Sequence, residues 1–258
     1  MNPRALFVSA LGISLILVSA ACAFGSTPPE SNEPASIPSQ PSTDAPEPPE
    51  SPISLSGSMS FASRYLFQGI DYSAGKPVLN PEADLNWGPI GAKLWVNHDL
   101  DLRVSNEYDF SLLHEWKAKK LSFTTGYTYL WYPHRDGWIP SQELYLETSR
   151  DGFLNPSLSV HYDFDAGMGS YSTFGLSHGF ERKAGTFTVG TNLFYQDHYY
   201  ELTGFPSNEW NVKFEKTIRH ATVTPSVSRF VTWGNGDFRD ENAIRSAWLF
   251  SFTVARDF

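Results

Sequence analysis

From Ile53 to the end of the chain, apolar and polar residues alternate one for one through segment after segment. Ile53, Leu55, Met59 and Phe61 share one parity, and Ser54, Ser56, Ser58 and Ser60 the other. Ala83, Leu85 and Trp87 alternate with Glu82, Asp84 and Asn86, and Ile90, Ala92, Leu94 and Val96 with Lys93 and Asn97. Tyr108, Phe110, Leu112 and Trp116 oppose Glu107, Asp109, Ser111 and Glu115. The same rhythm continues through 121–131, 143–147, 157–164, 174–180, 187–193, 210–218, 222–231 and 248–255. A period of two places successive side chains on opposite faces of a β-strand. There is no helical period of useful length, and no apolar run reaches the ~18 residues that a membrane helix needs. The pattern predicts an all-β fold: a transmembrane antiparallel up-and-down β-barrel of about twelve strands over residues 53–258.

The connections support the same picture. Tight ones fall at Gly88-Pro89, Lys117–Lys120, Ser149–Gly152, Glu181–Gly185 and Arg219-His220. Long ones fall at Gln68–Pro77, Asp99–Ser105, Pro133–Pro140, Tyr199–Ser207 and Gly234–Arg245, with Asp165–Gly169 the short exception. Short turns on one side and longer loops on the other are the asymmetry of outer-membrane barrels. This order predicts both ends of the barrel segment on the short-turn side. The tight turns are basic (Lys117, Lys119, Lys120, Arg150, Arg182, Lys183, Arg219) and the long loops mainly acidic. Trp and Tyr fall near strand ends, as interfacial girdles do.

Residues 1–23 read as a secretory signal peptide: Arg4 gives the positive start, Leu6 to Val18 the apolar stretch, and Ala21 and Ala23 the small residues before cleavage. A lipoprotein signal acylated at Cys22 is the rival reading, with Ser19 where an aliphatic residue is usual. Residues 24–52 are dense in Pro, Ser and Glu and nearly devoid of large apolar residues, which predicts a disordered, extended periplasmic linker.

Composition narrows the function classes. The formal net charge is −9, which argues against a nucleic-acid binder. Cys22 is the only cysteine, so neither a disulfide framework nor a thiolate metal cluster is expected. A soluble exported barrel or sandwich remains an alternative, its apolar faces then forming a core; against it stand the Ser/Thr/Gly-rich polar faces and the aromatic girdles. No cofactor is expected.

The segment Phe61-Ala62-Ser63-Arg64-Tyr65-Leu66-Phe67-Gln68-Gly69-Ile70-Asp71-Tyr72-Ser73, followed by Gly75-Lys76-Pro77-Val78-Leu79-Asn80-Pro81, resembles the first hairpin of the TorF-type porin family. Gln68 stands where that family usually has Arg. The resemblance implies an outer-membrane barrel and a pore. The last strand, Trp248 to Phe258, resembles the terminal aromatic signal read by the outer-membrane assembly machinery, with Phe258 as its last residue and Arg256 as a departure. The expected partners are the lipid bilayer, that machinery and small solutes.

The polar parity assigns an inward set: Arg64, Glu82, Asp84, Lys93, Glu107, Asp109, Glu115, Glu143, Glu147, Asp163, Lys213 and Glu215. Acids outnumber bases, so an open lumen favours cations. The expected function is a porin-like channel for small, cation-leaning solutes in the outer membrane. One alternative is a closed structural or interaction barrel, binding through aromatic loops such as His134–Trp138 and His198–Phe205. His161, Asp163 and Ser159 share a polar face, but period-two spacing brings such residues together in any polar strand, and no nucleophile–base–orienter set can be named. The expectation is therefore not an enzyme. His114 and His178 fall on the outward parity.

Overall fold

The computed structural model describes residues 53–233, 236–239 and 245–258. The expected signal peptide and Pro-rich linker lie outside the described residues. In chain order the strands are β1 (Ile53–Ala62), β2 (Leu66–Phe67), β3 (Ile70–Asp71), β4 (Val78–Trp87), β5 (Ile90–Asp99), β6 (Val104–Ala118), β7 (Leu121–Trp131) and β8 (Ser141–Arg150). Then follow β9 (Ser157–Asp163), β10 (Gly169–Arg182), β11 (Gly185–Tyr199), β12 (Leu202–Gly204), β13 (Ser207–Ile218), β14 (Ala221–Thr232) and β15 (Ala247–Asp257). A 3-10 turn spans Gly236–Arg239.

Twelve of these strands, namely β1, β4 to β11 and β13 to β15, form one closed antiparallel ring. Every wall strand pairs with its neighbours in sequence, and β15 returns to β1 to close the barrel. This is the up-and-down barrel that the period-two pattern predicts. Within the long connections lie two features the pattern does not predict: the β2–β3 hairpin and the short β12, which pairs with β11.

The ring is apolar outside and polar inside. Leu55, Leu85, Leu112, Leu144, Phe174, Val212 and Phe252 point outward and are exposed. Aromatic side chains mark both rims of this apolar band. Trp87 and Trp116 stand near the short turns, and Trp131, Trp210, Trp233 and Trp248 near the long loops. Inside, hydroxyl and amide side chains bond across strands. Ser111 Oγ lies 2.8 Å from Thr128 Oγ1, and Thr253 Oγ1 donates to Ser60 Oγ at 2.9 Å. These bonds satisfy groups that would otherwise be costly to bury.

Pro81 sits within wall strand β4 and has no N–H for the ladder. The neighbouring Asn80 compensates: its Nδ2 donates to the Val96 carbonyl at 3.3 Å and to Asn97 Oδ1 at 2.9 Å, and Asn97 Nδ2 donates on to Asn106 Oδ1 at 2.6 Å.

The two ends differ as expected for most connections, but the one expected to be long after β5 has only four residues, 100–103, fewer than the six of 151–156. The connections at 88–89, 119–120, 183–184 and 219–220 are two-residue turns, and the one at 151–156 is longer. Gly88 takes φ +58° at the first central position of its turn, where a glycine followed by Pro89 suits the right-handed twist of the flanking strands. Ile53 pairs with Trp87, and the Phe258 N–H donates to the Leu55 carbonyl at 2.9 Å, so both lie at the short-turn end. Arg256 lies over the Phe258 ring, 5.2 Å from its centroid, and so finds an aromatic partner at this rim.

Candidate functional site

The first long connection folds into the barrel. After β1 the chain forms the β2–β3 hairpin, whose tip is Gln68-Gly69. Both central backbones have positive φ, 51° at Gln68 and 89° at Gly69. The tip docks on the far wall: Ser207 Oγ donates to the Gln68 carbonyl at 2.7 Å, and Gln196 Nε2 donates to Gln68 Oε1 at 2.8 Å. Those partners lie on β13 and β11, and β13, β14 and β15 separate β11 from β1. The hairpin therefore spans the long-loop mouth. Its base is tied by Arg64 Nη1 to Asp71 Oδ2 at 3.2 Å, and Asp71 Oδ1 accepts the backbone N–H groups of Ser73 and Gly75. Phe67 meets Tyr171 edge-on at 5.1 Å between ring centres, and Ile70 packs with Phe238.

Beneath this hairpin is a cavity of about 890 Å³. Its roof is aromatic, from Tyr65, Phe67, Tyr72, Tyr132, Trp138 and Tyr199. Its wall on β4 to β9 is acidic, from Glu82, Glu107, Asp109, Glu115, Glu143 and Glu147. Lys93 is the one Lys or Arg of that wall, and its Nζ lies 3.4 Å from Glu82 Oε2 and 3.5 Å from Asp84 Oδ1. Arg135, from the loop between β7 and β8, brings its Nη2 to 3.9 Å from Glu107 Oε2. Its guanidinium lies 4.8 Å from the Trp138 ring centre, 5.6 Å from Tyr72 and 5.7 Å from Tyr65. Burial, and then the Glu107 carboxylate, push the Tyr72 hydroxyl up to about 12, against the lowering effect of Arg135.

Glu143 is the most elaborately held acid. Tyr171 Oη donates to its Oε2 at 2.8 Å and Tyr199 Oη to its Oε1 at 3.4 Å. His161 Nδ1 lies 3.4 Å from Glu143 Oε2, its Nε2 lies 3.9 Å from Glu147 Oε1, and its ring is stacked between Tyr145 and Tyr171. Asp163, two residues on, points elsewhere. It is fully buried, takes a bond from Ser141 Oγ at 2.7 Å, and accepts the Asp165 N–H at 2.9 Å, so it fastens the turn after β9.

The twelve residues of the inward set thus divide. Glu82, Lys93, Glu107, Asp109, Glu115, Glu143 and Glu147 line the cavity, with Asp84 joined to them through Lys93. Arg64 anchors the hairpin, and Asp163 holds a turn. Lys213 and Glu215 lie exposed on β13 toward the short turns, apart from the cavity. Among the described residues, no group of three or more His, Cys, Asp or Glu is placed to hold a metal ion.

Parity alone points to several inward aromatics that the sequence reading passed over. Trp95 shares the phase of Lys93 and Asn97, and Tyr145 that of Glu143 and Glu147. Tyr171 pairs with inward His161. Arg135 and the inward fold of the hairpin carry no local signal.

No protein-family model matches the chain, and no curated protein is similar to it at a significant level.

Proposed function

We propose that this chain is an outer-membrane β-barrel that passes small, cation-leaning solutes through an acidic lumen. The observation that carries the reading is the inversion of polarity across one closed ring: exposed apolar side chains bounded by two aromatic belts outside, carboxylates and hydroxyls inside. A water-soluble barrel would leave that apolar exterior in contact with water, which is unfavourable over so wide a continuous band. Most wall strands run 10 to 15 residues, long enough for the ~9–11 that cross a bilayer at a tilt. The basic short turns and the resemblance of the first hairpin to TorF-type porins fit the same orientation and class.

Excess carboxylates in the lumen raise the local concentration of cations and repel anions. The hairpin across the mouth makes the pathway narrow rather than wide. The test is a planar-bilayer recording of the folded, purified protein under a salt gradient. Discrete openings whose reversal potential leans toward the cation support the reading, and anion-leaning openings refute it. The docked hairpin favours one second reading, a closed barrel that binds partners through its loops. Silence from a barrel shown to be folded would move the assignment there.

A further inference from the structure

The contents of the cavity specify a ligand chemistry. Ligand pockets in proteins usually measure ~300–1,000 Å³, and this one, at about 890 Å³, lies within that range. Three polar atoms of its lining are buried without a hydrogen-bond partner: the acceptors Asp109 Oδ1 and Gln196 Oε1, and His161 Nδ1, which faces Glu143 Oε2 at 3.4 Å. Gln196 is 1 % exposed and has committed its Nε2 to Gln68, so only its carbonyl oxygen is unused. An ionised carboxylate can only accept. Lys93, the one Lys or Arg of the lining, is held by Glu82 and Asp84, and Arg135 in the roof lies 3.9 Å from Glu107 with its Nη2 otherwise unpartnered; Asp109, Glu115, Glu143 and Glu147 are left without a Lys or Arg partner among the described residues, so carboxylates outnumber cations.

One side chain of the protein shows how the aromatic roof holds a cation. The guanidinium of Arg135 is gripped by the rings of Tyr65, Tyr72 and Trp138, all of which line the cavity, while its contact with Glu107 stays at 3.9 Å. These rings already hold a planar organic cation by their faces. A cation brought out of water onto aromatic faces is held more firmly than one at an exposed site. A bare metal ion would make little use of the aromatic roof, and an anion would meet the carboxylates.

We infer that the cavity binds an organic cation, an ammonium or guanidinium group carried on an apolar or aromatic body, with the charged head against Asp109 and Glu143 and the body against the Tyr72–Trp138 roof. This deepens the proposed function, resting on its acidic lumen and naming the solute class. The donors of an ammonium or guanidinium match the unused acceptors, and the charge offsets carboxylates that are otherwise expensive to bury.

The full-length folded protein in detergent micelles is titrated calorimetrically with tyramine and with tyrosol, which has a hydroxyl in place of the amine. Tyramine is expected to bind at least tenfold more tightly than tyrosol at low salt. Asp109→Asn and Glu143→Gln should each reduce that preference at least threefold, and Asp151→Asn, in a turn at the other end, should leave it unchanged. Trp138→Leu lies in a loop and spares the wall strands; it should weaken both ligands. Equal binding of the two ligands, or no tyramine binding by the folded protein, overturns the inference. Bilayer recordings on the same preparation separate it from the channel reading. Cation-leaning openings with no amine preference remove only the ligand class. Amine preference in a silent barrel removes only conduction.

Discussion

Replacing Gly69 with alanine should release the hairpin from the mouth of the barrel. Gly69 holds φ +89°, a region where an alanine is strained by ~1–3 kcal/mol. A Cβ built there collides with Ser207 Oγ and falls 2.8 Å from Ser207 Cβ, so Ser207 has to move. Ser207 is fully buried and donates the 2.7 Å bond to the Gln68 carbonyl; losing it leaves a buried group unsatisfied, at ~1–3 kcal/mol. A combined value of about 3 kcal/mol raises the undocked fraction about a hundredfold. The wall strands keep their ladders, so the barrel itself should remain closed. The assay pairs single-channel recording with chymotrypsin cleavage at Tyr65 and Phe67: longer or larger openings and faster cleavage are expected. Gly75→Ala is the control, because its Cβ meets nothing within 4 Å and only the φ of +76° is strained. Equal conductance and equal cleavage for Gly69→Ala and the unaltered protein would refute the docking argument.

Other parts of the molecule give further tests. Phe252→Arg places a charge mid-strand on the apolar exterior and should destabilise the barrel in lipid vesicles by ~2–4 kcal/mol in urea unfolding. Ser141→Ala removes the donor to Asp163 and the acceptor of the Ala166 N–H, and should lower stability by ~1.5–3 kcal/mol in the same assay. Alkaline pH should loosen the aromatic roof. The Tyr72 hydroxyl, raised by burial to about 12, keeps its proton in the folded state while the unfolded phenol begins to ionise near its ordinary value of 10. The contribution is therefore full below pH 10 and is lost as pH rises toward 12. Tyr72→Phe should flatten that part of the unfolding curve.

The walls of the barrel were legible because one face of each strand differs in polarity from the other, and register follows from that difference. Ile53 to Phe61 and Trp248 to Val254 alternate except at Gly57 and Leu249, and their strands pair from Ser56 with Asp257 to Ala62 with Ser251 in the ring. Inward carboxylates such as Glu107, Asp109 and Glu143 follow from the same parity. The hairpin did not, because it is held by contacts remote in sequence: Gln68 and Gln196 are 128 residues apart. Two-residue strands such as Leu66–Phe67 are too short to show a period. Arg135 sits in an irregular loop, and its position depends on Tyr65 and Tyr72 of the distant hairpin segment as well as on Trp138 of its own loop. Asp163 shares parity with His161, yet the nearby turn claims its carboxylate, which alternation alone does not reveal.

The account rests above all on which face of the wall meets lipid. Single-tryptophan variants in vesicles containing brominated acyl chains measure this directly. One retains only Trp248, on the exposed outer face; another retains only Trp95, on the cavity wall. The account predicts strong quenching of Trp248 by the brominated chains and little quenching of Trp95. Strong quenching of Trp95, or a folded protein in which neither tryptophan is quenched, would contradict it.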